Sequence, residues 1–179
     1  MYCINVQYML PDDRLIANVN GVMNAILVKG DAVGPTLYYG PGAGSEPTAS
    51  SVVADIVDVA RTLTADPNHR VPHLAFQADR LSSEPVLPMS AVQTSYYLRV
   101  AAVDRPGVLW RVAQILSEAG ISIEALIQKE APEGSETATM ILLTSATIES
   151  RMSDAIAAIE ALESTRGRVT RIRMEKLDG

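Results

Sequence analysis

The amino-acid sequence predicts an α+β protein in two parts: a partial sheet with one long helix, then a ferredoxin-like unit of β-α-β-β-α-β order. Three observations point there. Strand-like and helix-like hydrophobic periods alternate in that order across residues 94–179. One helical period covers residues 47–64, after three strand candidates. Between the two parts lies an aperiodic stretch that holds Pro67, Pro72, Pro85 and Pro88.

The first strand candidates are Tyr2–Met9, Gly21–Lys29 and Pro35–Tyr39, with Asp31 to Gly34 turning the second into the third. In Pro47–Thr64, Ala49, Val53, Ile56, Ala60 and Leu63 recur three or four apart and so share one helix face. Pro47 suits a first turn, where its missing N–H would find no acceptor anyway. Residues 65–93 read as a linker, longer than most loops inside one domain, with a short strand candidate at His73–Gln77.

Tyr96–Asp104 opens the second part as a strand. Leu109, Val112, Ala113 and Leu116 then mark the apolar stripe of a helix that Gly120 is suited to cap. Ser122–Lys129 and Thr137–Thr144 are strands joined by a turn rich in Pro, Gly and Ser. Met152, Ile156, Ile159 and Leu162 define a second helix, whose charges read as a solvated face. Val169–Lys176 closes with an alternating strand.

Two helices on one face of such a sheet leave the other face bare. Val100 and Ala102, or in the other phase Leu98, Ala101 and Val103, make it too apolar for water together with Ile141 and Leu143. A bare apolar sheet marks an interface, so a homodimer or higher homo-oligomer through this sheet is expected.

Composition narrows the functions. Of the 179 residues 47% are hydrophobic but only 4% aromatic, which favours aliphatic cores. The net charge of −6 and the absence of basic runs argue against a nucleic-acid partner. The central strand Met140–Thr144 also lacks the aromatics that stack bases in RNA-binding sheets of the same order. Cys3 is the single cysteine, so no intrachain disulfide forms, and it reads as a small apolar strand residue. The N-terminus lacks the form of a signal sequence, and no apolar run reaches the ~18 residues of a membrane span, so a cytoplasmic protein without a membrane partner is expected. His69 and His73 are four apart, but Pro72 lies between them and no further ligand is near, so no metal site is expected. Trp110 reads as flanking the core or the interface.

The glycine cluster Gly40, Gly42 and Gly44, in GPGAGS, precedes the first helix. It fits neither common phosphate-loop spacing, and no lysine follows it. Two readings stand. The glycines form a tight turn that needs positive φ, or they let a ligand approach backbone N–H groups at a helix start.

The surrounding residues carry a resemblance. VNGVMNA, GDAVG, YYGPGAG and PTASSVVAD, within Leu15 to Arg61, recur in this order in the catalytic region of homoserine dehydrogenase, and HRVPHLAFQ resembles its bacterial form. From Ser95 onward the chain resembles an ACT domain, the amino-acid-sensing module at the C-terminus of the bacterial enzymes, through DRPGVL (Asp104–Leu109) and AGISIEALIQKE (Ala119–Glu130). The resemblance implies a C-terminal fragment of an NAD(P)-dependent oxidoreductase that interconverts aspartate semialdehyde and homoserine. Residues 1–64 would be the end of its catalytic domain, 65–93 the linker and 94–179 the ACT domain.

Carried over, Gly42, Ala43 and Gly44 would lie beside the cofactor, while Asn20 and Gly21 would be structural members of the catalytic and dimerising sheet. The family's dinucleotide-binding unit, its catalytic lysine and its acidic substrate-binding residues are not found in this sequence. Lys29 does not match that lysine, and Val6, Gln7 and Tyr8 stand where the family often has a His-Pro-Thr stretch. No catalytic residue is therefore assigned, no NAD(P) is expected on this chain alone, and the chain is expected to be inactive as a dehydrogenase.

The strand-to-helix turn Asp104, Arg105, Pro106 and Gly107 has a plain structural reading and a binding one. For binding, the N–H groups of Gly107, Val108 and Leu109 would receive an α-carboxylate, and Asp104 an α-ammonium. The resemblance implies L-threonine as the effector. It also implies closure of the pocket by Ile121, Ser122 and Ile123 of a second subunit, with Gln128 as a further polar contact. The alternative is a free-standing amino-acid-binding or dimerisation module.

Overall fold

The computed structural model describes residues 8–64, 76, 78–80, 85–129, 131, 134 and 136–175. They fall into two compact units, Asp12–Glu84 in one and Met1–Pro11 with Pro85–Gly179 in the other.

In the Asp12–Glu84 unit, β2 (Met23–Gly30) and β3 (Gly34–Pro41) form an antiparallel hairpin, Gly30 opposite Gly34. Gly34 has φ +77°, a left-handed turn conformation that glycine adopts without a Cβ penalty. Helix α1 (Ser45–Leu63) follows directly, so the periodic stretch is helical as expected. Its apolar face is not a core, however. No α1 residue is buried, and Val53, Ile56 and Leu63 are 58%, 62% and 80% exposed. Periodicity shows which face is able to pack, and nothing among the described residues covers this one.

The other unit has the expected β-α-β-β-α-β order: β4 (Gln93–Val103), α2 (Val108–Glu118), β5 (Ile123–Lys129), β6 (Thr137–Thr144), α3 (Glu149–Glu160) and β8 (Thr170–Met174). A two-residue strand, β7 (Thr147–Ile148), pairs with the start of β4. The sheet order is β1-β8-β4-β6-β5. Its first member, β1 (Tyr8–Met9), differs from expectation. It is the described end of the Tyr2–Met9 candidate, and it runs parallel to the last strand, Tyr8 beside Arg173 and Met9 beside Met174.

The core lies between the sheet and its two helices. Tyr96, Leu98, Val100 and Ala102 alternate inward along β4 and are at most 1% exposed. They meet Val112 and Leu116 of α2 and Met152 and Ile159 of α3. This decides the strand phase. Leu98, Val100 and Ala102 face the helices and not the open side, while Ala101, Ile141 and Leu143 lie on the open face and Val103, in the same phase, is only 8% exposed. On that face the register aligns Tyr97, Leu143 and Ala125 in one row and Arg99, Ile141 and Ile127 in the next.

Helix α2 ends as its sequence requires. Gly120 takes φ +69° and donates to Ser117 O at 2.9 Å, and Ile121 N–H reaches Leu116 O at 2.8 Å. These bonds satisfy two carbonyls of the last turn and bury Ile121 at 3% exposure. Cys3, His69, His73 and most of the His73–Gln77 strand candidate lie outside the described residues. No described helix is long and apolar enough to cross a membrane.

Candidate functional site

The turn after β4 gathers most of the expected binding residues. Gly107 has φ +90° and forms the N-cap of α2, with Arg111 N–H bonded to its carbonyl at 3.0 Å. Asp104 N–H bonds Glu136 O at 2.8 Å, which fixes the loop against the start of β6. The Asp104 carboxylate is exposed and accepts from Gln128 Nε2 at 3.3 Å. Asp104, Arg105, Val108, Leu109 and Gln128 line one recess of about 30 Å³ with Met140 at its floor. That volume holds about one water, far below the ~300–1,000 Å³ of sites that enclose small molecules. The recess by itself is therefore too small to enclose an amino acid.

Two details refine the expected chemistry. Val108 N–H is committed to Arg105 O at 3.3 Å, so it is not open to a carboxylate as expected. The first-turn N–H groups of Leu109 and Trp110 have no acceptor further up the helix by position, and they carry the positive end of its dipole. Ile121, Ser122 and Ile123 are at the opposite end of α2. There they line an open groove of about 440 Å³ with Ala113, Ser117 and Gly120. Within one chain the two sets do not meet. Ile121 is committed to its own core, which leaves Ser122 and part of Ile123 to face outward.

The glycine loop supports its plain reading well. Gly42 N–H bonds Val22 O at 3.0 Å, and a Cβ at Gly42 would overlap the Asn24 side chain. Gly44, at φ +120°, is the N-cap of α1. Glu46 in the first turn of α1 places a negative charge where a phosphate would bind. Among the described residues no three His, Cys, Asp or Glu side chains gather as a metal site.

Sequence reasoning missed one cluster. Glu149, the first residue of α3, was expected on a solvated face, but it is 4% exposed. Tyr96 Oη donates to its Oε2 at 2.7 Å. Arg173 binds it two-fold, Nε to Oε2 at 2.8 Å and Nη2 to Oε1 at 2.5 Å. Arg171 Nη1 lies 2.9 Å from Oε1. Burial alone would raise the Glu149 pKa. The hydrogen bonds from Arg173 and Tyr96, with the charge of Arg171, more than reverse this and leave it lowered. Burial and the bond to Glu149 push the Tyr96 hydroxyl upward. The sequence signal was the Arg171–Arg173 alternation, which puts two cations on one face of the last strand.

Comparison with known proteins matches both units. Residues 4–57 fit the family model described as homoserine dehydrogenase, and residues 96–164 that of the ACT domain. A homoserine dehydrogenase of Pseudomonas aeruginosa is 64% identical over 95% of this chain, and one of Neisseria gonorrhoeae is 53% identical over 94%. The chain spans 39% of the length of each. The crystal structure of a homoserine dehydrogenase from Thiobacillus denitrificans superposes with a TM-score of 0.83 at 60% identity, covering 96% of this chain and 38% of that one.

Proposed function

Because the chain belongs to the homoserine dehydrogenase family, as a stretch of its catalytic region joined to an ACT domain, we propose that it is the part through which an amino acid controls that enzyme. The observation that carries this reading is the loop at Asp104. There an exposed carboxylate, the N-terminus of α2 and Gln128 converge on one small recess. An α-ammonium pairs with Asp104 and takes the place of the Gln128 contact. The α-carboxylate meets the Leu109 and Trp110 N–H groups. A second copy, bringing Ser122 and Ile123 across the open sheet face or edge, supplies the missing wall.

L-Threonine is the effector of this proposal: it is small, and Gln128, once displaced from Asp104, would bind its one hydroxyl. The same reading keeps Gly42, Ala43 and Gly44 at the edge of an NAD(P) site that the rest of the enzyme completes. It divides the chain into catalytic-region residues 1–64, a connector at 65–93 and an ACT domain at 94–179. An NAD(P) cofactor would supply hydride chemistry. This chain's loop would only orient it, and the chain by itself does not turn over homoserine.

Calorimetric titration of the protein with L-threonine and a panel of other amino acids tests the proposal. Saturable heat with threonine, lost in Asp104→Ala, is expected. Heat with none of them, or heat that Asp104→Ala leaves unchanged, rejects it.

A further inference from the structure

Two chain segments connect the ACT unit to the Asp12–Glu84 unit, one leaving after β1 and one returning ahead of β4. Both are fastened at the same place. The outgoing segment is held by β1, whose Tyr8 lies beside Arg173 and whose Met9 carbonyl accepts from Glu175 N–H at 3.1 Å. Arg173 in turn is held two-fold by the Glu149 carboxylate. The returning segment passes through the short turn Met89–Ala91 to Val92, whose carbonyl accepts the Glu149 backbone N–H at 2.8 Å. Thr94 Oγ1 adds a bond to Met174 O at 2.8 Å, which ties the start of β4 to the strand that carries β1.

We infer that Glu149 is a positioning residue that secures both connections at once, its side chain the outgoing one and its backbone the returning one, so that it forms the output joint of the regulatory unit. The input end, which rests on the proposed function, is at Asp104. The two ends lie at opposite termini of β4, roughly 35 Å apart by strand rise. Between them Tyr96, Leu98, Val100 and Ala102 are at most 1% exposed, and Tyr96 itself bonds Glu149. A packed strand with a polar network at its far end is a physical connection, and its coupling has to be measured.

Hydrogen exchange on the whole chain provides the measurement, for wild type, Glu149→Gln and the milder Tyr96→Phe, each with and without L-threonine. Loosening of the joint predicts that exchange in peptides 8–14 and 86–92 of the variants accelerates roughly tenfold more than in α2 and β6, which follow the global stability alone. It also predicts that threonine alters exchange of those two peptides in wild type but not in Glu149→Gln, although the threonine midpoint moves less than about threefold. Uniformly faster exchange across β4, β6 and α3 would make Glu149 a core support only and overturn the inference, as would unchanged peptides 8–14 and 86–92. If Glu149→Gln does not fold, Tyr96→Phe decides by the same contrast. If threonine gives no heat with wild type, the effector reading fails on its own, and the exchange contrast between variants still decides the joint.

Discussion

Glu149 keeps its charge inside the protein because four donated contacts from Tyr96, Arg173 and Arg171 replace water around its two oxygens. Removing the charge leaves Arg173 and Arg171 facing a neutral amide. Glu149→Gln is expected to lower the stability of the ACT unit by about 2–4 kcal/mol at neutral pH, measured by urea unfolding. The pH dependence follows from the lowered pKa. A carboxylate whose folded pKa is depressed contributes stability above its unfolded value of about 4.3 and loses it as pH falls through the folded value. The gap between wild type and Glu149→Gln is therefore flat from about pH 5 to 8 and narrows below about pH 4. A gap that widens on acidification would contradict this. Single residues were unevenly legible in the sequence. Gly120 could be read because a helix end of this kind demands a left-handed residue. Glu149 could not, since its partners come from strands that a one-helix periodicity does not see.

At the scale of elements, the order of strands and helices in the ACT unit was legible, and the strand Thr137–Thr144 has the bounds its alternation implied. The phase of β4 was not, because both of its faces carry apolar side chains. Only the register, with Leu98, Val100 and Ala102 against α2 and α3, decides it. The open face then consists of the rows through Tyr97 and Leu143 and through Ile141 and Ile127, with Ile127 56% exposed. If a second copy covers these rows, Ile141→Lys should convert a dimer to a monomer in light scattering without lowering the unfolding midpoint of the ACT unit beyond the loss of that contact. An unchanged mass would exclude this face. The α2 start gives a second expectation. A Cβ at Gly107 meets no atom within 4 Å, so Gly107→Ala acts only through its φ of +90°. It should cost about 1–2 kcal/mol and weaken threonine binding by turning the first-turn N–H groups. Trp110, 63% exposed beside Arg111, is placed to report that change by fluorescence.

The whole molecule is an ACT unit with its own core and a second unit in which no described residue is buried. The unequal burial follows from what each part has to pack against. In the ACT unit two helices close one side of the sheet, whereas α1 and the β2–β3 hairpin leave Val53, Ile56, Ile26 and Tyr38 outside. The sequence made the family of the first part legible through its motifs, but not its burial, since a helical period marks a face able to pack without saying whether anything covers it. Exposed apolar area of this kind is expected to bind a hydrophobic dye at neutral pH, and binding by a variant lacking residues 12–84 should fall sharply. The central claim, that the protein receives an amino acid at Asp104, is tested most directly by calorimetric titration with L-threonine. Wild type should give saturable heat and Asp104→Ala none. No heat from wild type, or equal heat from both, would contradict it.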